Sequence, residues 1–196
     1  PGPSKFDRYV EAVLNNRKPS PADQLNIEEA AGLRVFMSDN QGQCMRCHNG
    51  PMFTDNHFHN IGSQEFGANE FERGRAAGIQ MALADETNCR SNFSDAPQVG
   101  CAELNFAKRR APDLVGAFKT PSLRFLSRTA PYMHFGQYKT LEDVIWHYRE
   151  VPPATIGESE LRSLSMSDAQ FRQIEDFLRT LDGPIAAPEH FLRPPD

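Results

Sequence analysis

Two cysteines three positions apart, with a histidine directly after the second, constrain this 196-residue chain more than any other feature: Cys44-Met45-Arg46-Cys47-His48. Two thiols at this spacing can add to the two vinyl groups of one porphyrin. The adjoining imidazole then meets the iron from one side. The competing readings are zinc and a redox dithiol. Zinc would require a second ligand pair, and the remaining cysteines, Cys89 and Cys101, lack metal-site spacing. The motif therefore reads as the attachment site of one covalent haem c, with Cys44 and Cys47 as thioethers and His48 on the iron.

Cys89 and Cys101 lie in a segment rich in Gly, Asn and Ser. Two spare cysteines in a protein matured under oxidising conditions are read as a disulfide, with free thiols as the alternative. Both cysteine pairs point outside the cytosol, to a bacterial periplasm. The chain starts at Pro1 without an initiator Met or an export signal and is read as a mature or cut polypeptide. A net charge of −5 gives no case for nucleic acid as a partner, and no apolar run reaches membrane-spanning length.

Periodicity predicts mostly α structure. Phe6, Val10 and Val13 sit at helical spacing within 4–16, and the stretch 17–23 reads as a linker. Asn26 and Glu29 form a capping-box pattern ahead of a helix carrying Ala30, Leu33, Phe36 and Met37, which stops near 40–42 and delivers the chain into Cys44. Residues 50–117 are irregular, with a short helix predicted over 70–84. Thr140 starts a helix of about ten residues with Leu141, Val144, Ile145 and Tyr148 on one face. Ser167 and Gln170 cap a last helix that buries Phe171, Ile174, Phe177, Leu178 and Leu181 and ends at Gly183–Pro184. No strand or repeat signal stands out. The expected architecture is a mostly α, cytochrome c-like haem domain over 26–183 with long irregular loops and a loop-rich insertion at 62–117. An N-terminal helix and linker (1–25) precede it and an extended tail (184–196) follows.

One axial His leaves a sixth iron position. The residues alone offer Met37, Met52, Met81, Met133, Met166, the histidines and Tyr148. Met133, in Pro131-Tyr132-Met133-His134, is the ordinary choice, since Met opposite His is common in cytochromes c. Tyr148 lies on an apolar helix face, where a tyrosine is ordinarily a core residue with its hydroxyl satisfied.

Several blocks together resemble the dihaem cytochrome c peroxidase/MauG family. They are Cys44 to Asp55 (CMRCHNGPMFTD), Phe58-His59-Asn60, Phe118 to Arg124 (FKTPSLR), Thr129 to His134 (TAPYMH), Thr140 to Tyr148 (TLEDVIWHY) and the final helix. The resemblance covers about 27–183 and matches the C-terminal of the family's two haem domains. It implies that the peroxide-binding haem belongs to a second domain or chain. In the peroxidases the C-terminal haem takes a Met from the helix after the Pro-Tyr-x-His block. In MauG-like members a Tyr stands there, and by register that place is Tyr148.

The resemblance implies further roles. Tyr148 and His134 become the candidate catalytic residues, His134 as a donor near the haem edge rather than an exposed histidine. Arg124 becomes a candidate partner of a haem propionate, its alternative being a surface arginine. The main-chain oxygens of Thr129 and Pro131 become candidate calcium ligands, with a further ligand from the other domain. His59 is read as a structural loop histidine. Two departures stand out. Phe135 follows His134 where the family has Asp or Asn, and Gly42 and Gln43 precede the motif where MauG-like proteins carry a relay tryptophan; the only Trp is Trp146. Three functions fit: a MauG-like oxidant of a protein or small molecule driven by peroxide, a peroxidase domain passing electrons from a donor cytochrome, and a non-enzymatic electron-transfer subunit. The expected partners are a second haem domain or chain and a redox partner or protein substrate.

Overall fold

In the computed structural model, residues 2–63, 72–95, 101–107, 112–188 and 191–192 are described. Parts of the 62–117 insertion and of the 184–196 tail lie outside them. Among the described residues the chain is mostly helical, with six helices and one minimal strand pair, β1 (Phe58–His59) antiparallel to β2 (Phe118–Lys119). Each strand is two residues long, too short to leave an alternating pattern in the sequence.

The chain divides into two compact units, Pro1–Asp55 with Pro121–Arg149 and Ser163–Asp196, and Asn56–Thr120 with Glu150–Arg162. The expected 62–117 insertion thus corresponds to a unit with wider bounds, and the N-terminal segment joins the haem-motif unit.

The first unit holds α1 (Lys5–Leu14), α2 (Ile27–Met37), α5 (Leu141–Glu150) and α6 (Asp168–Arg179). Their starts are local chemistry. Ser4 with Asp7, Asn26 with Glu29, and Ser167 with Gln170 form reciprocal capping boxes that satisfy backbone N–H groups left unpaired at a helix start. Thr140 and Asp143 do the same for α5: Thr140 Oγ1 donates to the Asp143 carboxylate at 2.7 Å and accepts from Asp143 N at 3.1 Å. The last helix ends at Arg179, short of the expected Gly183–Pro184. Thr180 terminates it by turning its hydroxyl onto Phe177 O at 2.6 Å, yet Leu181 remains buried in the following turn.

The core of this unit joins Val35 and Phe36 of α2 to Ile145 of α5 and to Phe171, Ile174, Phe177 and Leu178 of α6. Phe177 is fully buried, 5.1 Å from the Phe36 ring and edge-on to Phe6 at 5.2 Å. Phe6 docks α1 on this core. Two ion pairs add to it, Lys5–Glu29 and Asp7–Arg124.

Burial raises the Asp7 carboxyl pKa, but the Arg124 and Ser4 hydrogen bonds outweigh it, so the group ends below its ordinary 3.8. A carboxyl whose folded pKa is depressed stabilises the fold fully above its unfolded value, and that stabilisation is lost as pH falls through the folded value. Docking of α1 is therefore expected to persist from neutral to mildly acidic pH. Denaturation measured as a function of pH should show a loss below about pH 4, and Asp7→Asn should remove part of that loss.

The second unit holds α3 (Arg75–Ala84), α4 (Ala102–Asn105) and the β1/β2 pair. Cys89 and Cys101 are joined in a disulfide, with Cα atoms 5.7 Å apart. Asn60, 2% exposed, ties three segments together: its amide donates to Val115 O at 3.0 Å and Ile156 O at 2.7 Å, and its oxygen accepts from Gly62 N at 3.0 Å. Asn60→Ala would leave two carbonyls and an N–H without these partners. The expected cost is roughly 3 kcal/mol or more. Hydrogen exchange should show faster amides around 60–62 and 115–117, and unchanged protection would contradict this role.

Candidate functional site

The haem motif is built on a turn that α2 feeds through Gly42. Gly42 N donates to Val35 O at 3.1 Å, and a Cβ at this position would lie 2.5 Å from that oxygen. Gln43 then adopts a left-handed conformation, and Cys44–Arg46 forms a single 3-10 turn closed by Cys47 N donating to Cys44 O at 3.3 Å, with His48 N donating to the same oxygen at 2.8 Å. The turn places Cys44, Cys47 and His48 within one short stretch, all half-buried. Cys44 and Cys47 are not joined to each other.

After the motif the chain folds back. Asp55 N donates to Cys47 O and Thr54 N to Asn49 O, both at 2.8 Å. This brings the carbonyl of Phe53 against His48, whose Nδ1–H donates to it at 2.9 Å. With Nδ1 turned to the carbonyl, Nε2 is the nitrogen that would meet an iron. An imidazole whose other nitrogen is held by a carbonyl is the usual arrangement of a metal-ligating histidine.

The donor set fits a covalent haem. Burial, followed by the charge of Cys47, pushes the Cys44 thiol up to about 12, so it is neutral at pH 7. As a thioether it would carry no charge at any pH, and the burial would then oppose no ionisation. Tyr148 is half-buried on α5. Burial, and then the charges of Cys44 and Cys47, push its phenol above its ordinary value.

The other methionines are placed differently. Met37, Met52 and Met81 are 54%, 44% and 73% exposed. Met166 packs against the core of the first unit. Met133 is half-buried at φ +69° in a turn closed by Gly136 N donating to its carbonyl at 3.2 Å. His134 is exposed, with its ring edge-on to Phe135 at 4.8 Å. Thr129 and Pro131 are exposed. His59 pairs with Glu160 at 2.8 Å, as suits a structural histidine. Trp146 is 46% exposed with the Arg149 guanidinium 4.5 Å above its ring.

Arg124 requires a correction. The resemblance set it against a haem propionate, but the structure sets it against Asp7, in a two-point pair at 2.8 and 2.7 Å. Ser4 Oγ and Pro51 O take its other N–H groups. All five guanidinium donors are committed, so none remains for a propionate. Sequence reasoning also missed two other residues. His147 is buried and shares a hydrogen bond of 3.0 Å with the Tyr138 hydroxyl, which accounts for an imidazole on the inner side of α5. The Phe53 carbonyl left no signal at all, because a backbone oxygen carries no side-chain signature.

No family model matches the chain. It is 32% identical over 187 residues to the methylamine utilization protein MauG of Methylorubrum extorquens, an alignment covering 95% of this chain and 41% of that protein. It is 29% identical over 183 residues to the cytochrome-c peroxidase IdrP2 of Denitromonas iodatirespirans, covering 89% and 47%. The chain belongs to the MauG/dihaem cytochrome c peroxidase family. Its fold is shared with the dihaem peroxidase BthA of Burkholderia thailandensis, with a TM-score of 0.64 at 19% identity over 93% of this chain and 46% of that one. The chain spans less than half the length of these curated relatives. Among the described residues no helix is long and apolar enough to cross a membrane.

Proposed function

We propose that the chain is the C-terminal-type haem domain of a MauG-like oxidoreductase, with Cys44 and Cys47 carrying one haem c, His48 as one axial ligand and Tyr148 as the other. The turn that carries Cys44, Cys47 and His48, with the His48 Nδ1–H held on Phe53 O at 2.9 Å, carries this reading, and the family register on α5 points to Tyr148. When bound, the haem supplies the redox equivalents of a peroxide-driven oxidation. Everything else is the work of the chain. Cys44 and Cys47 would hold the porphyrin covalently, Phe53 O orients the His48 ring, and α5 would present the half-buried Tyr148.

A phenolate is a hard anion and stabilises the more oxidised iron, whereas a thioether favours ferrous iron. A His/Tyr pair therefore suits a site that holds oxidising equivalents better than a high-potential carrier. The exposed carbonyls of Thr129 and Pro131 offer two oxygen donors, too few for calcium, which takes six to eight. A calcium site here would need further ligands, which the family resemblance assigns to the other domain. Export to a bacterial periplasm, where haem c and the Cys89–Cys101 disulfide both persist, completes the reading.

The peroxide-reacting haem is assigned to a second domain or chain, and the substrate to a redox partner or protein. The test is the haem-to-polypeptide ratio by pyridine haemochrome and mass, together with peroxide turnover. One haem per chain and no turnover until the second haem is supplied is the expected result. Peroxidase turnover by the one-haem chain alone would overturn the division of labour.

A further inference from the structure

Phe53 orients His48 through a backbone carbonyl, and its own backbone is strained. It sits at φ +51°, a left-handed conformation that is an outlier for a bulky side chain. Such a residue persists only where its surroundings over-determine it. Here the three consecutive residues Pro51, Met52 and Phe53 are gripped by the segment 122–124. Arg124 donates twice to Pro51 O, from Nε at 3.0 Å and Nη2 at 2.7 Å. The Ser122 hydroxyl donates to Met52 O at 2.6 Å. The Arg124 guanidinium lies 5.0 Å above the Phe53 ring.

The grip is itself held. The Asp7 carboxylate takes one N–H from each terminal nitrogen of Arg124, and Ser4 Oγ, at a residue 1% exposed, takes another at 3.2 Å. The Arg124 side chain is only 9% exposed. A planar fork with five donors is needed to serve Asp7, Ser4 and Pro51 at once, and a lysine ammonium cannot reproduce it.

We propose that Arg124, clamped by Asp7 and assisted by Ser122, is the positioning residue for His48, acting through the 51–53 loop to hold the Phe53 carbonyl on the ligand's Nδ1–H. The inference rests on the proposed haem at His48. A firm Nδ1–H···O bond makes the imidazole a more basic ligand, which favours ferric iron and lowers the midpoint potential. Loosening the loop weakens that bond and raises the potential.

Sign separates this role from simple electrostatics. Deleting the arginine charge would lower the potential through space, so the informative variants conserve charge. Arg124→Lys keeps the cation and loses the fork. Ser122→Ala is neutral and removes the bond to Met52 O together with the one that Ser122 Oγ accepts from Arg124 N at 3.1 Å, so it remains informative if Arg124→Lys fails to fold. Both are expressed as the full holo chain, checked for one covalent haem by pyridine haemochrome, and titrated spectroelectrochemically. Ser167→Ala, which removes the capping box of α6, weakens the fold without changing charge or touching the clamp and is the control. The expected result is an upward shift in both Arg124→Lys and Ser122→Ala, larger in the first, with Ser167→Ala unchanged. Potentials that stay at the parent value in Ser122→Ala and in folded, haem-loaded Arg124→Lys would overturn the inference. An equal shift in Ser167→Ala would also overturn it, by showing general loosening. A parent chain that carries no covalent haem would instead defeat the reading of the site on which the inference rests.

Discussion

Tyr148→Met is expected to raise the haem midpoint potential by on the order of a few tenths of a volt, since axial-ligand identity moves haem potentials over a total range of about 0.8 V. The physical cause is the exchange of a hard anionic oxygen for a soft neutral sulphur on an otherwise unchanged His48 side. Two neighbouring variants sharpen the test. Tyr148→Phe should lose the spectroscopic signature of phenolate on ferric haem, and Met133→Leu should keep it. A thioether-to-iron charge-transfer band that survives Tyr148→Phe and vanishes in Met133→Leu would exclude Tyr148 as the ligand and assign that position to Met133. The first outcome is expected because Tyr148 is half-buried on α5, while Met133 is tied into its own turn.

Gly32→Ala is expected to be the most damaging conservative change in the core. A Cβ on Gly32 would lie 1.8 Å from Gln173 O, 2.5 Å from Gln173 C and 2.9 Å from Phe177 Cβ. Two of these atoms are backbone of α6, so no side-chain rotation relieves the overlap. The helices α2 and α6 must separate, opening the contact of Phe36 with Phe177. Overpacking of this kind costs about 1–3 kcal/mol and sometimes more. With backbone on both sides the upper end is expected, roughly 3 kcal/mol, which corresponds to a fall in Tm of about 6–12 °C for a chain of this size. Gly78→Ala is the matched control. It also lies within a helix, nothing stands within 4 Å of its added Cβ, and removing helical glycine should stabilise slightly. Thermal melts of the two variants, both with haem attached, check the pair. Equal melting temperatures would show that the crossing can relax.

The features legible in the sequence were those set by neighbours along the chain. The capping boxes at Asn26 and Ser167, the apolar spacing of α6 and the three-residue interval of Cys44 and Cys47 are local, and each appears where its pattern placed it. Helical periodicity also put Tyr148 on the inner face of α5, because residues one turn apart share a face whatever they pack against. Two helix ends came earlier than their patterns: α2 stops at Met37 rather than near 40–42, and α6 at Arg179 rather than at Gly183–Pro184. Thr180 ends the helix first, through a hydroxyl bond that no spacing rule encodes.

The haem motif, with its two thiols and its imidazole, was determined by the sequence alone, since adjacent residues cannot be far apart in any fold. What surrounds the motif was decided by tertiary structure. Asp7 meets Arg124 across 117 positions, Ser122 meets Met52 across 70, and Asn60 meets Ile156 across 96. A charged or polar side chain states that it needs a partner, but not which one. That choice is made by the helix crossings and loop returns that bring distant segments within hydrogen-bond reach. For this reason Arg124 could be read as a ligand to a propionate from its neighbours in sequence, and is seen as the clamp on the His48 loop only when the folded chain brings Asp7 to it.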